Sequence, residues 1–163
     1  MASRRHAVTE IMRTLKGAVT GRPVILEIGC SSGYLLRDLT AAMPQAMVIG
    51  SDCLDKALQA LGRRMPGLPL LRFDLVRCPL PDASIDAVVA LNVLEHIERD
   101  DLALAQLHRI LKPGGVLVLE VPAGPGLYDG YDAYLMHYRR YAMGGLIPAS
   151  LMIDTFNPWV ARQ

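Results

Sequence analysis

The chain is short of several things, and each shortage closes off a class of protein. Its 163 residues hold three cysteines, Cys30, Cys53 and Cys78, with no Cys-x-x-Cys pair among them. That spacing builds neither a disulfide framework nor a zinc knuckle, so a reducing cytoplasmic compartment and no metal site are expected. Net charge is only +1, too weak a field to draw in nucleic acid or an anionic membrane surface. No apolar run reaches the length that spans a bilayer, about 20 residues. The first residues carry Arg4, Arg5, Glu10 and Arg13 where a secretion signal would be apolar. Repeats and low-complexity tracts are missing too. What is plentiful is apolar: 52% of the chain is hydrophobic, enough for one domain of this length to build a full core.

The most informative stretch is Val24-Ile25-Leu26-Glu27-Ile28-Gly29-Cys30-Ser31-Ser32-Gly33-Tyr34-Leu35-Leu36. A β-branched apolar run stops at a glycine, and apolar residues at helical spacing resume after the next one. This is a buried parallel strand turning sharply into a helix. In open α/β sheets ligands bind at the carboxyl ends of the strands, so this turn is the expected cofactor site. A dinucleotide loop wants glycine at three places, Gly-x-Gly-x-x-Gly. Counted from Gly29, the second and third places hold Ser31 and Tyr34, which argues against NAD or FAD. Glu27, near the end of the strand, repels phosphate but suits an ammonium group. S-adenosylmethionine carries an ammonium, a sulfonium and a ribose without phosphate, and fits better.

The rest of the chain supplies the other layers. Val8, Ile11, Met12 and Leu15 give residues Arg4 to about Val19 one apolar side, a helix that packs on the sheet or closes the cofactor pocket. Tyr34–Met43 reads as the first crossover helix, and Met47–Ser51 as a second strand ending at Asp52. A carboxylate about 20 residues past a glycine loop can accept from ribose hydroxyls, although it could also cap a helix over Leu54–Met65. Leu70–Phe73 reads as strand three, followed by Asp74 and Leu75, and Ile85–Leu91 as a central strand four. Asn92 and Val93 then lie beside the ligand across the switch point, within reach of its methionine portion. Glu95 and His96 follow, serving acid–base chemistry or simple capping and packing. Asp100 and Asp101 open a helix that Lys112-Pro113-Gly114-Gly115 stops with a tight turn, before strand five at Val116–Val121. Pro122–Tyr141 holds five of the six tyrosines and leaves the sheet on the ligand side, where loops commonly carry substrate contacts.

Together these motifs resemble those of the class I S-adenosylmethionine-dependent methyltransferases, in their type 11/12-like group, from about Val24 to about Tyr141. Glu27-x-Gly29-x-x-x-Gly33 resembles motif I, with Ser31 where the family usually has a middle glycine. The resemblance makes Asp52 the motif II acid, with Cys53 and Leu54 on the adenine side. It makes Asp74 the motif III acid, with Leu75 offering a backbone N–H to the ring. Asn92-Val93-Leu94-Glu95-His96-Ile97 resembles the family's "vLeHi" stretch, and His137-Tyr138-Arg139-Arg140-Tyr141 its "gHyRRY". The implied cofactor residues are Glu27, Gly29, Cys30, Ser31, Gly33, Asp52, Cys53, Leu54, Asp74, Leu75, Asn92 and Val93. Tyr128, His137 and Tyr138 are implied for the substrate, with the arginines pairing Asp129, Asp132 or an anionic substrate, unless the pentad only holds a lid down. No catalytic residue is assigned.

The expectation is therefore one domain over residues 1–163: an N-terminal helix (1–21), a cofactor core (22–121), a substrate loop (122–143) and a short tail (144–163). Its fold is Rossmann-like and doubly wound, α/β, mostly parallel, with strand order 3-2-1-4-5. The family fold continues through a helix and two more strands, but residues after Tyr141 give no clear strand pair, being interrupted by Gly144-Gly145, Pro148 and Pro158. Strand five is expected to be an open edge, covered by Leu146–Phe156 or by a second copy of the chain. The implied activity is methyl transfer to a small molecule, with a cofactor-binding module without turnover as the alternative and a nicotinamide oxidoreductase disfavoured.

Overall fold

Near-continuous apolar strands can be satisfied only in the middle of a sheet covered on both faces, and this decides the architecture. The structure, a computed structural model, describes residues 2–142 and 159–162. Val24–Ile28 (β1) lies between Met47–Asp52 (β2) and Ile85–Leu91 (β4), parallel to both. Leu70–Arg72 (β3) adds outside β2, and Leu111–Glu120 (β5) outside β4, again in parallel. The order is the expected 3-2-1-4-5. Helices Ala2–Ala18 (α1), Tyr34–Ala42 (α2), Asp55–Arg64 (α3) and Asp100–Ile110 (α4) complete the layers.

Side chains alternate across the sheet with the period of two that a strand dictates. Leu26, Ile28, Val88, Ala90, Leu117 and Leu119 face Ala103, Leu107 and Ile110 of α4. Ile25, Val48, Ala87, Val89, Val116 and Val118 face the other way, toward Ile11 and Leu15 of α1, Leu36 and Leu39 of α2, and Leu58 of α3. Burying each such leucine or isoleucine contributes about 1.5–3 kcal/mol. α1 lies against α2 and β5. Among the described residues, no helix is long and apolar enough to cross a membrane.

Two elements differ from the sequence reading. The Lys112–Gly115 stretch is not a turn ahead of strand five but an irregularity inside β5: Ile85 pairs Leu111, and the next pair is Ala87 with Val116. The detour brings Lys112 Nζ to within 2.8 Å of Asp86, which also accepts the Val24 N–H at 2.8 Å. One carboxylate thus ties the starts of β1, β4 and β5 together. Burial pushes the Asp86 carboxyl up, but Lys112 and the Val24 N–H outweigh it, and the net shift is downward.

The second difference is at the edge. Trp159–Arg162 (β6) pairs antiparallel with β5, from Val116 with Arg162 to Leu119 with Trp159, so β5 is not the open edge that was expected. The strand escapes a sequence reading because four residues show only two cycles of alternation and a proline stands directly before them, a position that a strand tolerates. The proposed cover, Leu146–Phe156, lies outside the described residues.

Replacing Asp86 with alanine strands a backbone N–H and an ammonium at once. Asp86→Ala should lower unfolding free energy by about 1–3 kcal/mol in a urea titration. Asp38→Ala, which removes only the exposed Arg37 pair, should change it by under about 0.5 kcal/mol.

Candidate functional site

The carboxyl ends of β3, β2, β1 and β4 meet along one rim, and the turn after β1 is shaped by what borders it. Gly29 has φ 71° and Gly33 φ 74°, left-handed values that glycine adopts without steric cost. A Cβ on Gly29 would sit 2.6 Å from Val93 Cγ2, and one on Gly33 would overlap Leu61 Cδ1. Ser31, standing where the resembled family has glycine, takes φ 43°, so the turn keeps its left-handed course with a serine in it.

Asp52, at the end of β2, holds this turn open. Its Oδ2 accepts the Ser31 N–H at 3.0 Å and its Oδ1 the Leu54 N–H at 2.9 Å. Leu54, not Asp52, is the residue that precedes α3, and no side chain caps that helix. Cys53 and Leu54 are exposed beside it. Asp74 follows β3 and caps a single 3-10 turn, Leu75–Arg77, accepting the Val76 N–H at 3.1 Å. Its neighbour Leu75 is buried.

Beneath the turn lies Glu27, 6% exposed, with no partner for Oε2 among the described residues. Burial pushes its carboxyl up to about 8; the Leu36 backbone N–H opposes this, and the charge of Asp52 adds to it. Cys30 is buried nearby, its thiol pushed up to about 12 by burial, Glu27 and Asp52. It is a wall rather than a nucleophile. The first turn of α2 takes no side-chain cap from Gly33, and its Leu36 N–H is directed at the Glu27 carboxyl.

On the far side of the turn, Asn92 takes φ 53° and donates from Nδ2 to Glu120 Oε1 at 3.0 Å. Glu120 was not singled out in the sequence; the only signal for it is a charge closing an apolar strand. A 3-10 turn over Leu94–His96 follows Val93. Glu95 there is fully buried, and neither of its carboxylate oxygens has a partner among the described residues. Burial pushes it up to about 7; its own backbone N–H and His137 oppose the shift, and Glu120 adds to it. The rings of His96 and His137 meet edge to face, centroids 4.7 Å apart. Burial first, and then the charge of His137, lowers the His96 pKa against a backbone hydrogen bond to Met136.

The loop that brings His137 here is strapped down. Its feet are joined by a bridge between Ala123 and Tyr141, with Gly124 N–H donating to Tyr141 O at 3.0 Å and Tyr141 N–H to Pro122 O at 2.9 Å. Asp129 caps the short helix Gly130–Tyr134 (α5). Asp132 is buried and takes Arg140 Nε at 2.8 Å and His137 Nδ1 at 2.9 Å. Burial alone would raise its pKa; Arg140, His137 and the Asp129 N–H together bring it well below the usual range. Arg139 pairs with neither Asp129 nor Asp132 but with Asp100 at 2.7 Å, which also accepts from Tyr141 at 3.0 Å. Tyr138 N–H donates to Glu95 O at 2.7 Å, and Tyr128 hydroxyl to His137 O at 2.7 Å. Both tyrosine rings remain exposed.

The model of a methyltransferase domain family matches residues 26–119. A probable S-adenosylmethionine-dependent methyltransferase of Mycolicibacterium smegmatis is 36% identical over 132 residues, which is 81% of this chain and 49% of that protein. Demethylmenaquinone methyltransferase of Deinococcus radiodurans is 29% identical over 140 residues, 82% of this chain and 58% of that one. Among solved structures, the YcgJ protein of Bacillus subtilis is similar with a TM-score of 0.72 at 18% identity, over 86% of this chain and 64% of its own. At that identity the likeness is one of fold. The chain spans about half the length of the first two curated relatives it matches.

The buried Glu27 carboxyl predicts a pH effect on the ligand-free protein. A raised folded pKa favours the neutral acid, so its contribution is whole below the ordinary value of 4.5 and is lost as pH rises through about 8. Thermal and urea unfolding of wild type should therefore weaken relative to Glu27→Gln across that window, by up to about 1.4 kcal/mol per pH unit. Parallel pH profiles for the two proteins would contradict it.

Proposed function

The chain belongs to the methyltransferase domain family of class I S-adenosylmethionine-dependent enzymes, and from that membership we propose that it binds S-adenosylmethionine along the β3–β2–β1–β4 rim and transfers its methyl group to a small-molecule acceptor. The observation that carries this reading is a buried Glu27, its Oε2 without a partner among the described residues, beneath a turn that Gly29 and Gly33 hold in the left-handed region. The site thereby offers an anion to the ligand's ammonium, and the dipole of α2 favours the ligand's carboxylate.

The residues divide the cofactor between them. Glu27 ionises against the ammonium and stops being a neutral buried acid. Gly29, Cys30, Ser31 and Gly33 give the ligand close backbone approach. Asp52 keeps lone pairs beyond the two bonds it makes to backbone, and these suit ribose hydroxyls. Leu54, 64% exposed, and Cys53 give the purine an apolar flank. Asp74 has an oxygen left for the adenine amine, with the backbone N–H of Leu75 beside it. Asn92 and Val93 border the methionine portion. When bound, S-adenosylmethionine supplies a methyl group already activated by its positive sulfur. What remains for the protein is alignment, which is worth about 7–11 kcal/mol when reacting atoms are held in line. The rings of Tyr128 and Tyr138, with His137, form the acceptor's side of the crevice. A net charge of +1 favours a small acceptor over nucleic acid, and a cytoplasmic location goes with the free thiols. With β6 along β5, no second copy is needed to cover that edge.

Two measurements test this. Asp52→Ala should weaken S-adenosylhomocysteine binding at least about tenfold by calorimetry, as expected for losing charge-assisted hydrogen bonds; unchanged affinity removes Asp52 from the site. Methyl transfer from labelled cofactor across a metabolite panel should find an acceptor. Tight binding without transfer to any of them would leave a binding module, and a melting-temperature shift with NAD alone would overturn the cofactor itself.

A further inference from the structure

Glu95 is the least explained group in the molecule: a fully buried carboxyl with no hydrogen-bond partner for either oxygen among the described residues. Isolated buried carboxylates are costly, and native proteins pair them or give them to a metal. What faces Glu95 is a pair of imidazoles. One carboxylate oxygen of Glu95 and one ring nitrogen each from His96 and His137 all lie within 4.8 Å of one another. Ligand atoms around a tetrahedral ion stand about 3.3 Å apart, so the three side chains need to close by at most about 1.5 Å.

The surroundings are those of a ligand set. His137 Nδ1 is 2.9 Å from Asp132 Oδ1, which leaves Nε2 as its free nitrogen. A carboxylate on the far nitrogen is the usual way a metal-binding histidine is oriented and made more basic. Asp132 is itself buried and fixed by Arg140 and the Asp129 N–H, so it is a built support. Met136, just ahead of His137, is held at φ 60°, a left-handed value that a non-glycine residue keeps only when its surroundings enforce it. His96 and Glu95 share one 3-10 turn, and Tyr138 N–H on Glu95 O docks the loop onto that turn. Two imidazoles with a single carboxylate suit first-row transition ions and zinc far better than magnesium or calcium, which prefer oxygen.

We propose that Glu95, His96 and His137 form a binding site for one first-row divalent cation of the zinc and cobalt type, with Asp132 positioning His137. Three protein ligands leave coordination positions open to water or to an oxygen of a bound molecule. The site closes only when the Pro122–Tyr141 loop is seated, because His137 comes from the loop and Glu95 from the sheet side. The cysteine pattern in the sequence gave no hint of it, since the ligands are 41 residues apart from His96 to His137. The proposal concerns the cation alone, and its outcome is separate from whether methyl transfer is the activity.

The test uses the untagged full chain, stripped by chelator and titrated with Co2+ and with Zn2+. Expected are one equivalent of metal per chain by calorimetry and a visible Co2+ spectrum of nitrogen and oxygen ligation without a thiolate charge-transfer band. Affinity should fall at least about 100-fold in His96→Ala and His137→Ala, and about 10–100-fold in Asp132→Asn. His108→Ala and Cys53→Ser should retain it. His96 is exposed, so its alanine variant folds even if one at buried Glu95 does not, and circular dichroism checks this. No saturable binding of either ion, binding that survives both histidine variants, or a charge-transfer band that Cys53→Ser abolishes would each overturn the site.

Discussion

Asp52 accepts two backbone N–H groups, from Ser31 in the turn after β1 and from Leu54 in the turn after β2, and the geometry of the rim follows from that grip. Two adjacent βα turns are fixed to one carboxylate, so they cannot drift apart or collapse into the crevice. Gly29 adds the third strand to the same unit, because its missing Cβ lets Val93 at the end of β4 come within contact. One edge is thereby assembled from the ends of three strands. Asp86 does the corresponding job at the opposite end of the sheet, where it joins β1, β4 and β5.

The two ends differ in how their charges are treated. Asp86 meets a lysine and a backbone donor and is stabilised as an anion. Glu27 and Glu95, at the rim end, are buried, and Glu27 Oε2 and both Glu95 oxygens find no donor among the described residues. Asp52 and Asp132 are buried at the same end and are bonded, so the deficit is confined to the two glutamates, and it is of the kind that an incoming cation relieves. The proposed cofactor would bring an ammonium to Glu27, and the proposed metal site would bring a cation to Glu95 beside the two histidines.

Much of this was legible in the chain. Ile85–Leu91 could be read to the residue because a near-continuous apolar run bounded by a turn has few other meanings, and the order 3-2-1-4-5 follows once the strands alternate with helices. The rim residues could be named because they stand at or just past the end of a strand. Contacts between distant segments could not. Nothing local announces that Glu120 holds Asn92, that Arg139 reaches Asp100, or that Asp132 turns His137 toward Glu95. Lys112–Gly115 looks like any helix stop until its lysine is seen bound to Asp86. β6 is too short for its alternation to rise above chance.

The seating of the tyrosine loop has a consequence for how it comes loose. Its two feet are bonded to each other through Ala123, Gly124 and Tyr141, and its middle is fastened by Arg139 to Asp100 and by Tyr138 to the backbone of Glu95. A segment fastened in this way opens as one cooperative unit rather than fraying residue by residue. Loosening that side of the rim is then an all-or-none event, governed by the whole set of fastenings rather than by any one of them.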